Sequence, residues 1–227
     1  MIFVIVCRAV RVIRQPRGNM LLIGIGGSGR QSLSKLASFI CMYQVFQIEV
    51  SKSYKRAEFR EDLKKLYNQA GVSNKETSFI FVDTQVVDEA FLEDINNILS
   101  SGEVPNLYKN EELEELKNNL LKEAKKNNIE ENNQAIYNFL LDRVKANLHL
   151  IVCMSPVGEA FRNRIRMYPA LVNCTTIDLF NEWPPEALLE VGEKYLANVT
   201  LEGNDQVNVK PIKIKNILIF FFILNKK

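Results

Sequence analysis

The sequence NMLLIGIGGSGRQSL, from Asn19 to Leu33, joins a short apolar run to a glycine-rich turn and the start of a helical pattern. A phosphate-binding P-loop has the pattern Gly, four residues, Gly, Lys and then Ser or Thr. Gly24 and Gly29 stand at this spacing, but Arg30 occupies the lysine position and Gln31 the Ser/Thr position. The glycine spacing of the motif is therefore present, but its lysine and its hydroxyl side chain are not.

Composition describes an ordinary globular chain of 227 residues, 47% hydrophobic and 25% charged. The formal net charge of +2 gives no bulk electrostatic reason to expect nucleic acid as a partner. The four cysteines lack C-x-x-C spacing and there is a single histidine, His149. This pattern predicts the reduced, buried thiols of an intracellular protein and no obvious metal set.

Both ends of the chain are apolar but short. Residues 1–7 are followed by four arginines without a small-residue cleavage site, so we interpret them as the remnant of a helix that leads into the first strand. The apolar run at 217–224 is far shorter than the roughly 20 residues needed to cross a bilayer. We interpret it as a truncated or mis-joined terminus, and we do not expect a membrane partner.

Strand patterns alternate with helical patterns along the chain. The predicted strands are 20–23, 45–50, 78–82, 148–153 and 174–177. The predicted helices are 31–43, 57–70, 91–99 and 135–146, with a solvated amphipathic helix favoured over a disordered linker within 109–133. In the first of these helices the predicted apolar stripe is Leu33, Leu36, Ala37, Ile40 and Cys41. Five alternating strands predict an α/β fold of three layers, α/β/α, around a doubly wound parallel sheet.

In such a sheet a ligand lies at the carboxyl ends of the strands, and the first strand-to-helix turn holds a phosphate. Backbone N–H groups of the turn and the positive end of the following helix would face that phosphate. The alternative is a glycine turn of some other α/β protein, which the flanking strand and helix make less favoured. The predicted nucleotide-binding residues are Gly24, Gly26, Gly27, Ser28, Gly29, Arg30, Gln31 and Ser32.

Polar residues after two further strands extend the predicted site. Asp83 would hold a magnesium ion through water. Thr84 stands where hydrolytic relatives of this architecture carry a glutamate, and it is a weak replacement because it cannot act as a carboxylate base. Ser155 is either a sensor of the γ-phosphate or the start of a plain Ser-Pro turn. Glu93 and Asp94 are predicted to be surface or interface groups.

Arg162, Arg164 and Arg166 form a basic cluster between the fourth and fifth predicted strands. We expect no run of acids near them within this chain. Two interpretations stay open. One of the arginines reaches the nucleotide of a neighbour in an oligomeric ring, as a trans arginine finger, or the cluster is a solvated basic helix.

Longer motifs carry a resemblance to a known family. They are RQPRGN at 14–19, GIGGSGRQS at 24–32, FQIE at 46–49, DTQ at 83–85, FLEDINN at 91–97, MSP at 154–156, FRNR at 161–164 and PALVNCTTID at 169–178. Together they make residues 7–198 resemble the fourth AAA+ module of an axonemal dynein heavy chain, a P-loop NTPase.

The resemblance implies one module of a six-module ring motor in which the fourth module binds ATP or ADP in a regulatory role, with Mg²⁺ possible. It implies contacts with the neighbouring AAA+ modules and, through the parent motor, with intermediate chains, light chains and microtubules. The implied location is the cytoplasm and cytoskeleton, in the dynein complex of the ciliary axoneme. It also implies an AAA+ large α/β subdomain at 1–182 with a helical insert at about 109–146. The start of a small helical lid would follow at 183–200, and a divergent or mis-joined tail at 201–227.

The two residues that depart from the P-loop motif, Arg30 and Gln31, determine how much hydrolysis we expect at this site. Arg30 keeps a positive charge near the β-phosphate, but its forked group could clamp a diphosphate without matching the geometry of a lysine at the γ-phosphate. Gln31 removes the hydroxyl that ligates magnesium, and Ser32, about 100° further round the helix, is a doubtful substitute. We therefore expect a regulatory ATP or ADP site with weak or no hydrolysis. The alternatives are an active ATPase module and a truncated structural fragment with an empty site.

Overall fold

A computed structural model describes residues 2–51, 53–130, 132–181, 183–184, 186–187, 189–190 and 194. Its helices are α1 (Ile2–Ile13), α2 (Arg30–Ile40), α3 (Arg56–Tyr67), α4 (Ala90–Ser101), α5 (Asn110–Lys126), α6 (Asn133–Asn147), α7 (Glu159–Met167) and α8 (Ala170–Asn173). Its strands are β1 (Met20–Gly24), β2 (Gln44–Phe46), β3 (Thr77–Val82), β4 (Leu148–Met154) and β5 (Thr176–Phe180). A π-helical turn at Asn68–Val72 extends α3, and a 3₁₀ turn at Asp83–Gln85 follows β3.

The five strands form one parallel sheet in the order β2-β3-β4-β1-β5. Every residue of β3 and β4 is buried, as expected for central strands covered on both faces. In β1, Met20 lies opposite Ile151 of β4 and Thr176 of β5. The predicted five-stranded parallel sheet is confirmed, and the carboxyl ends of β1, β3 and β4 meet at one edge of it.

Two apolar clusters cover the two faces of the sheet, which confirms the three-layer α/β/α prediction. On one face α3, α4, α5 and α6 pack on the sheet, with the ring of Phe59 stacked on Phe91 at a centroid distance of 4.4 Å. On the other face α1 and α2 pack through Ile13 and Ala37. Because the sheet is buried from both sides, the loops at its carboxyl edge are the part of the module open to a ligand.

Several boundaries and one helix face differ from the sequence prediction: α2 and α3 each end three residues earlier than predicted, and β5 ends three residues later. Strand β2 ends at Phe46 rather than at residue 50, because the carbonyl of Ile48 accepts a hydrogen bond from the Gln85 side chain instead of a neighbouring strand. Strand β5 starts two residues later than predicted, because the N–H of Cys174 closes α8 on Ala170. In α2 the predicted stripe is wrong at Leu36 and Ile40, which are 45% and 48% exposed. The buried face of that helix is made by Ser34, Ala37 and Ser38.

The prediction that Asp94 is a surface group is wrong. Its side chain is 1% exposed and lies 3.2 Å from Arg56 and 3.4 Å from Arg60, both on α3. Arg60 also donates to the carbonyls of Pro105 and Asn106, in the loop after α4. Two guanidinium groups from the facing helix reach Oδ1 and compensate the buried charge, whereas the buried Oδ2 has no hydrogen-bond partner among the described residues. Its predicted companion Glu93 is exposed, as expected.

His149 lies in β4 and is 2% exposed. Its Nδ1 atom is 3.0 Å from the carbonyl oxygen of Gly18, and its ring stacks on Tyr43 at a centroid distance of 5.2 Å. Burial lowers the pKa of this imidazole below its ordinary value of 6.5, although the Gly18 contact acts in the opposite direction. The single histidine is therefore a neutral core group.

The chain divides into two compact units, Met1–Phe180 and Asn181–Lys227. The predicted lid at 183–200 and tail at 201–227 lie almost wholly outside the described residues. Within the predicted insert, α5 is amphipathic, as expected, and buries Leu116, Leu120 and Ala124. Of the helices that the structure describes, none is long and apolar enough to span a membrane.

Candidate functional site

The turn between β1 and α2 is built on glycines. A Cβ atom added to Gly24 would lie 2.7 Å from Cβ of Phe180 and 2.8 Å from Oγ of Ser28, so a larger residue does not fit without a shift. Gly27 and Gly29 have φ values of +79° and +86°, which glycine adopts without a steric penalty. Within the described chain no side chain caps the N-terminus of α2. The first N–H groups of α2 are thus available to an anion.

Arg30 opens α2 and stands at the edge of this turn. Its Nη2 atom is 3.4 Å from the carbonyl oxygen of Ile25, a long contact. Its Nη1 atom is buried and has no hydrogen-bond partner within the described part of the chain. The backbone carbonyl of Arg30 accepts a hydrogen bond from Ser34 at 2.7 Å, which helps to fix the first turn of the helix.

A cavity of about 280 Å³ joins this turn to the ends of β3 and β4. We call it the P-loop cavity, and its lining residues are Gly27, Ser28, Gly29, Arg30, Gln31, Ser32, Val82, Asp83 and Cys153. The fold therefore brings most of the predicted binding residues together with the predicted acid. A second cavity of about 230 Å³, lined by Asn19, Leu148 and Lys145 among others, contains none of the P-loop residues.

Asp83 and Ser155 meet across the ends of neighbouring strands. The backbone N–H of Ser155 donates to Oδ2 of Asp83 at 2.8 Å. The Ser155 hydroxyl accepts a long hydrogen bond of 3.4 Å from the N–H of Val157, within its own turn. The predicted proximity of the two residues is observed, and the contact is made by the Ser155 backbone rather than by its hydroxyl.

Thr84 is exposed, and the residue after it has the larger structural role. Gln85 is 7% exposed, its Oε1 accepts from the N–H of Val82 at 2.9 Å, and its Nε2 donates to the carbonyl of Ile48 at 2.7 Å. Both ends of the amide are used, so this side chain fixes the Asp83–Gln85 turn to the loop after β2. Sequence reasoning quoted this glutamine within a motif but gave it no role.

Cys153 is a second residue whose place in the site was missed. It is 1% exposed at the end of β4 and lines the P-loop cavity. Burial raises the pKa of this thiol to about 12, the nearby Arg30 charge lowers it and Asp83 raises it. The thiol is therefore neutral and forms a weakly polar wall. The only signal in the sequence is its position two residues before Ser155 at the end of an apolar strand.

The residues present do not fit a magnesium site of the usual P-loop kind. Gln31 is exposed and its Oε1 lies 3.4 Å from Nε2 of Gln47, while Ser32 is exposed one position further along α2. One oxygen of Asp83 already accepts the Ser155 N–H. In the described ranges no cluster of three or more His, Cys, Asp or Glu residues could hold a metal ion. For a magnesium ion, these residues thus offer the second oxygen of the Asp83 carboxylate and no well-placed hydroxyl group.

The arginine cluster on α7 has acidic neighbours, contrary to expectation. Arg162 is exposed and lies 3.2 Å from Glu159, one turn earlier on the same helix. Arg164 contacts Glu89, at 2.8 Å through Nη2 and 3.1 Å through Nε. The expectation failed because Glu89, far away in sequence, sits at the start of α4 beside α7. Neither arginine lines the P-loop cavity of its own chain.

A glycine-rich loop between the first strand and helix, an acid after β3 and the strand order β2-β3-β4-β1-β5 define a P-loop NTPase domain of the AAA+ class. The family model described as "P-loop containing dynein motor region D4" matches residues 1–223, and the chain belongs to this family. The resemblance drawn from the motifs is thereby confirmed.

Curated relatives agree with this assignment. The chain is 60% identical over 209 residues to "Dynein axonemal heavy chain 2" of Mus musculus and to the protein of the same name of Homo sapiens. It is 56% identical over 209 residues to "Dynein-1-beta heavy chain, flagellar inner arm I1 complex" of Chlamydomonas reinhardtii. Each match covers 92% of this chain, and the chain spans 5% of the length of each of these relatives.

Proposed function

We propose that the chain is a nucleotide-binding AAA+ module of a dynein heavy chain that contributes to ATP-driven, microtubule-based movement of cilia. ATP or ADP would be bound in a regulatory role, with weak or no hydrolysis at this site. The family match and the relatives named as axonemal heavy chains support the motor context. The geometry of the P-loop cavity supports the role of the site.

The residues that would hold the phosphates are those of the loop and of the start of α2. Backbone N–H groups between Gly26 and Arg30 favour an anion, and the positive end of α2 adds its field. Ser28 lines the same cavity, and Arg30 brings a fixed positive charge to it. These groups bind and orient a nucleotide, and they do not by themselves activate water.

The observation that carries the regulatory role is the residue after Asp83. A hydrolytic site of this type needs a carboxylate base to orient the attacking water, and Thr84 cannot supply one. Gln31 lacks the hydroxyl of the usual metal ligand, so two parts of the hydrolytic machinery are weakened together. Asp83 and the Ser155 backbone remain as a linked pair beside the phosphates, able to register which nucleotide is bound.

Binding and turnover are measured on the same preparation of the 227-residue chain. Calorimetric titration with ADP and ATP should give saturable binding, and phosphate release should stay below about 0.01 per second, some hundredfold under the lower end of typical kcat values. Turnover of about 1 per second or more, lost in Asp83→Ala, would show an active ATPase and refute the regulatory role. Absence of binding heat would instead support the empty structural fragment.

A matched pair of glycine variants tests the location of the site. Gly29→Val places a β-branched residue at φ +86° beside the proposed phosphate site. Gly158→Val introduces the same side chain at nearly the same angle, φ +85°. Gly158 is not among the residues that line the P-loop cavity. We expect both to lower stability and only the first to abolish nucleotide binding. Equal loss of binding in both would place the effect in folding rather than in the site.

The partners follow from the parent motor. We propose that the module contacts neighbouring AAA+ modules of the same heavy chain and reaches intermediate chains, light chains and microtubules through the motor. The location would be the cytoplasm and cytoskeleton, in the dynein complex of the axoneme. The division of the chain at Phe180 supports a large subdomain at about 1–182 that carries the insert at 109–146. The lid at 183–200 and the tail at 201–227 complete the proposed layout.

Of the cluster on α7, Arg162 and Arg164 are the arginines predicted as possible trans arginine fingers, and we favour Arg162. Its side chain is 68% exposed, and its contact is an exposed glutamate on its own helix. Arg164 is 17% exposed and is held by Glu89. In an intact heavy chain, Arg162→Ala should reduce ATP turnover at the adjacent module, with Arg166→Ala as the exposed control on the same helix. Equal turnover in both variants and wild type would remove Arg162 from this role.

A further inference from the structure

Arg30 brings a positive charge to the P-loop cavity at the lysine position of the motif, while the neighbouring position of the hydroxyl ligand is filled by Gln31. Arg30 lines the cavity together with Asp83 and Cys153. Its guanidinium group has one long contact, from Nη2 to the Ile25 carbonyl, and its buried Nη1 has no acceptor among the residues described. A buried charged donor without an acceptor is unfavourable. An anion that enters the cavity would remove this deficit.

The protein groups that would hold a magnesium ion are missing or engaged. The Ser/Thr position is Gln31, whose amide oxygen faces Gln47 at 3.4 Å, and Ser32 is exposed. Asp83 gives one oxygen to the Ser155 N–H at 2.8 Å. A small ion that demands near-octahedral oxygen ligation would find little fixed support here.

The surroundings strengthen a direct contact between the arginine and a phosphate. Cys153 is 1% exposed and neutral, so it adds a wall with little polarity next to the guanidinium group. Electrostatic attraction is therefore stronger on this buried side of the cavity than at its exposed rim, where Gln31 and Ser32 lie. The forked guanidinium group also matches two phosphate oxygens at once, which an ammonium group does not.

We propose that Arg30 takes the place of the magnesium ion, so that the site binds its nucleotide as a metal-free anion. This inference rests on the proposed nucleotide site and adds that the phosphate charge is balanced by the protein alone. It also gives a physical reason for weak hydrolysis, because no metal is positioned to stabilise the leaving and attacking oxygens.

The test compares ADP titrations of the 227-residue chain in buffer with excess Mg²⁺ and in buffer with excess EDTA. We expect the two dissociation constants to agree within about twofold, or the affinity to be higher in EDTA. Arg30→Met keeps the length and removes the charge, and it should weaken ADP binding about tenfold to a hundredfold in both buffers. Its unfolding midpoint without nucleotide should not fall measurably, because Nη1 has no partner among the described residues and Nη2 loses one long contact of 3.4 Å.

Gln31→Thr restores the missing hydroxyl and should make ADP binding depend on the metal, with at least about a tenfold loss in EDTA. Gln134→Thr is the matched control, because it makes the same change at an exposed glutamine of α6 that does not line the P-loop cavity, and it should behave like wild type in both buffers. If wild type binds ADP with Mg²⁺ and loses it in EDTA, the inference is overturned and the nucleotide site stands. If no nucleotide binds in either buffer, both the site and the inference are wrong. A lower unfolding midpoint of Arg30→Met would show a structural role and also count against the inference.

Discussion

Replacing Gln85 with leucine removes two buried hydrogen bonds that fix the turn carrying Asp83. In the wild-type chain its amide accepts from the Val82 N–H at 2.9 Å and donates to the Ile48 carbonyl at 2.7 Å. Leucine has nearly the same volume and no polar atoms, so both backbone groups lose their partner in a place that water does not reach. The change acts on the turn at the end of β3 without removing any residue that lines the P-loop cavity.

The magnitude follows from the two unsatisfied groups. Each buried donor or acceptor left without a partner costs about 1–3 kcal/mol. The added apolar burial of leucine offsets about 1 kcal/mol of this loss. The expected decrease in the free energy of unfolding is therefore about 1–5 kcal/mol, and the expected decrease in Tm about 2–20 °C for a chain of this length. Because the turn that carries Asp83 loses these two hydrogen bonds and the Asp83 carboxylate keeps only the Ser155 N–H as its described partner, ADP affinity should fall as well.

Urea unfolding followed by circular dichroism measures the first effect, and calorimetric titration with ADP measures the second. Gln134→Leu is the matched control, since this exposed glutamine makes one hydrogen bond, to Asn138 at 3.1 Å on the same helix. It should change the free energy of unfolding by less than about 0.5 kcal/mol. A Gln85→Leu midpoint indistinguishable from that of the control would refute the role of this glutamine as the brace of the turn.

Three further outcomes are expected. Asp94→Ala leaves two arginines of α3 without their shared carboxylate and should lower the free energy of unfolding, measured in urea, by about 2–3 kcal/mol. This is less than the loss expected for a fully buried ion pair, because the arginines are partly exposed. Gly24→Ala forces the new Cβ atom against Phe180 and should lower the free energy of unfolding by about 1–3 kcal/mol. A Cβ atom at Gly26 has no described atom within 4 Å, so Gly26→Ala should unfold like wild type. Because burial lowers the pKa of His149, its imidazole binds a proton just below pH 6.5 in the unfolded chain but not in the folded chain. The free energy of unfolding should therefore fall as the pH drops below about 6.5. A His149→Phe chain should lose less stability between about pH 7 and pH 5, and an identical pH dependence would contradict this assignment.

The central strands could be read from the sequence because their burial is continuous. Strands β3 and β4 are buried at every residue, and their apolar runs were predicted to within one residue at each end. The edge strands were placed less well. An edge strand has one ladder of hydrogen bonds, so its ends are decided by competing partners such as the Gln85 side chain near β2.

The site was predictable where backbone geometry defines it and less so where side chains from distant segments meet. The P-loop spacing alone placed Gly27, Gly29 and Arg30 in the cavity. The burial of Asp94 could not be foreseen, because its partners lie 34 and 38 residues away on another helix. A charged residue is expected at the surface until a pair of opposite charges from elsewhere is known to reach it.

The position of β1 inside the sheet, between β4 and β5, has a consequence for biosynthesis. Its partners are β4 and β5, so Met20 cannot pair until Ile151 and Thr176 have been made. At translation rates of about 5–20 residues per second, this apolar strand waits on the order of ten seconds. A nascent chain released before β4 therefore carries the complete P-loop sequence with no sheet to hold it. We expect such truncated products to depend on chaperones and to be degraded rather than to persist as nucleotide-binding fragments.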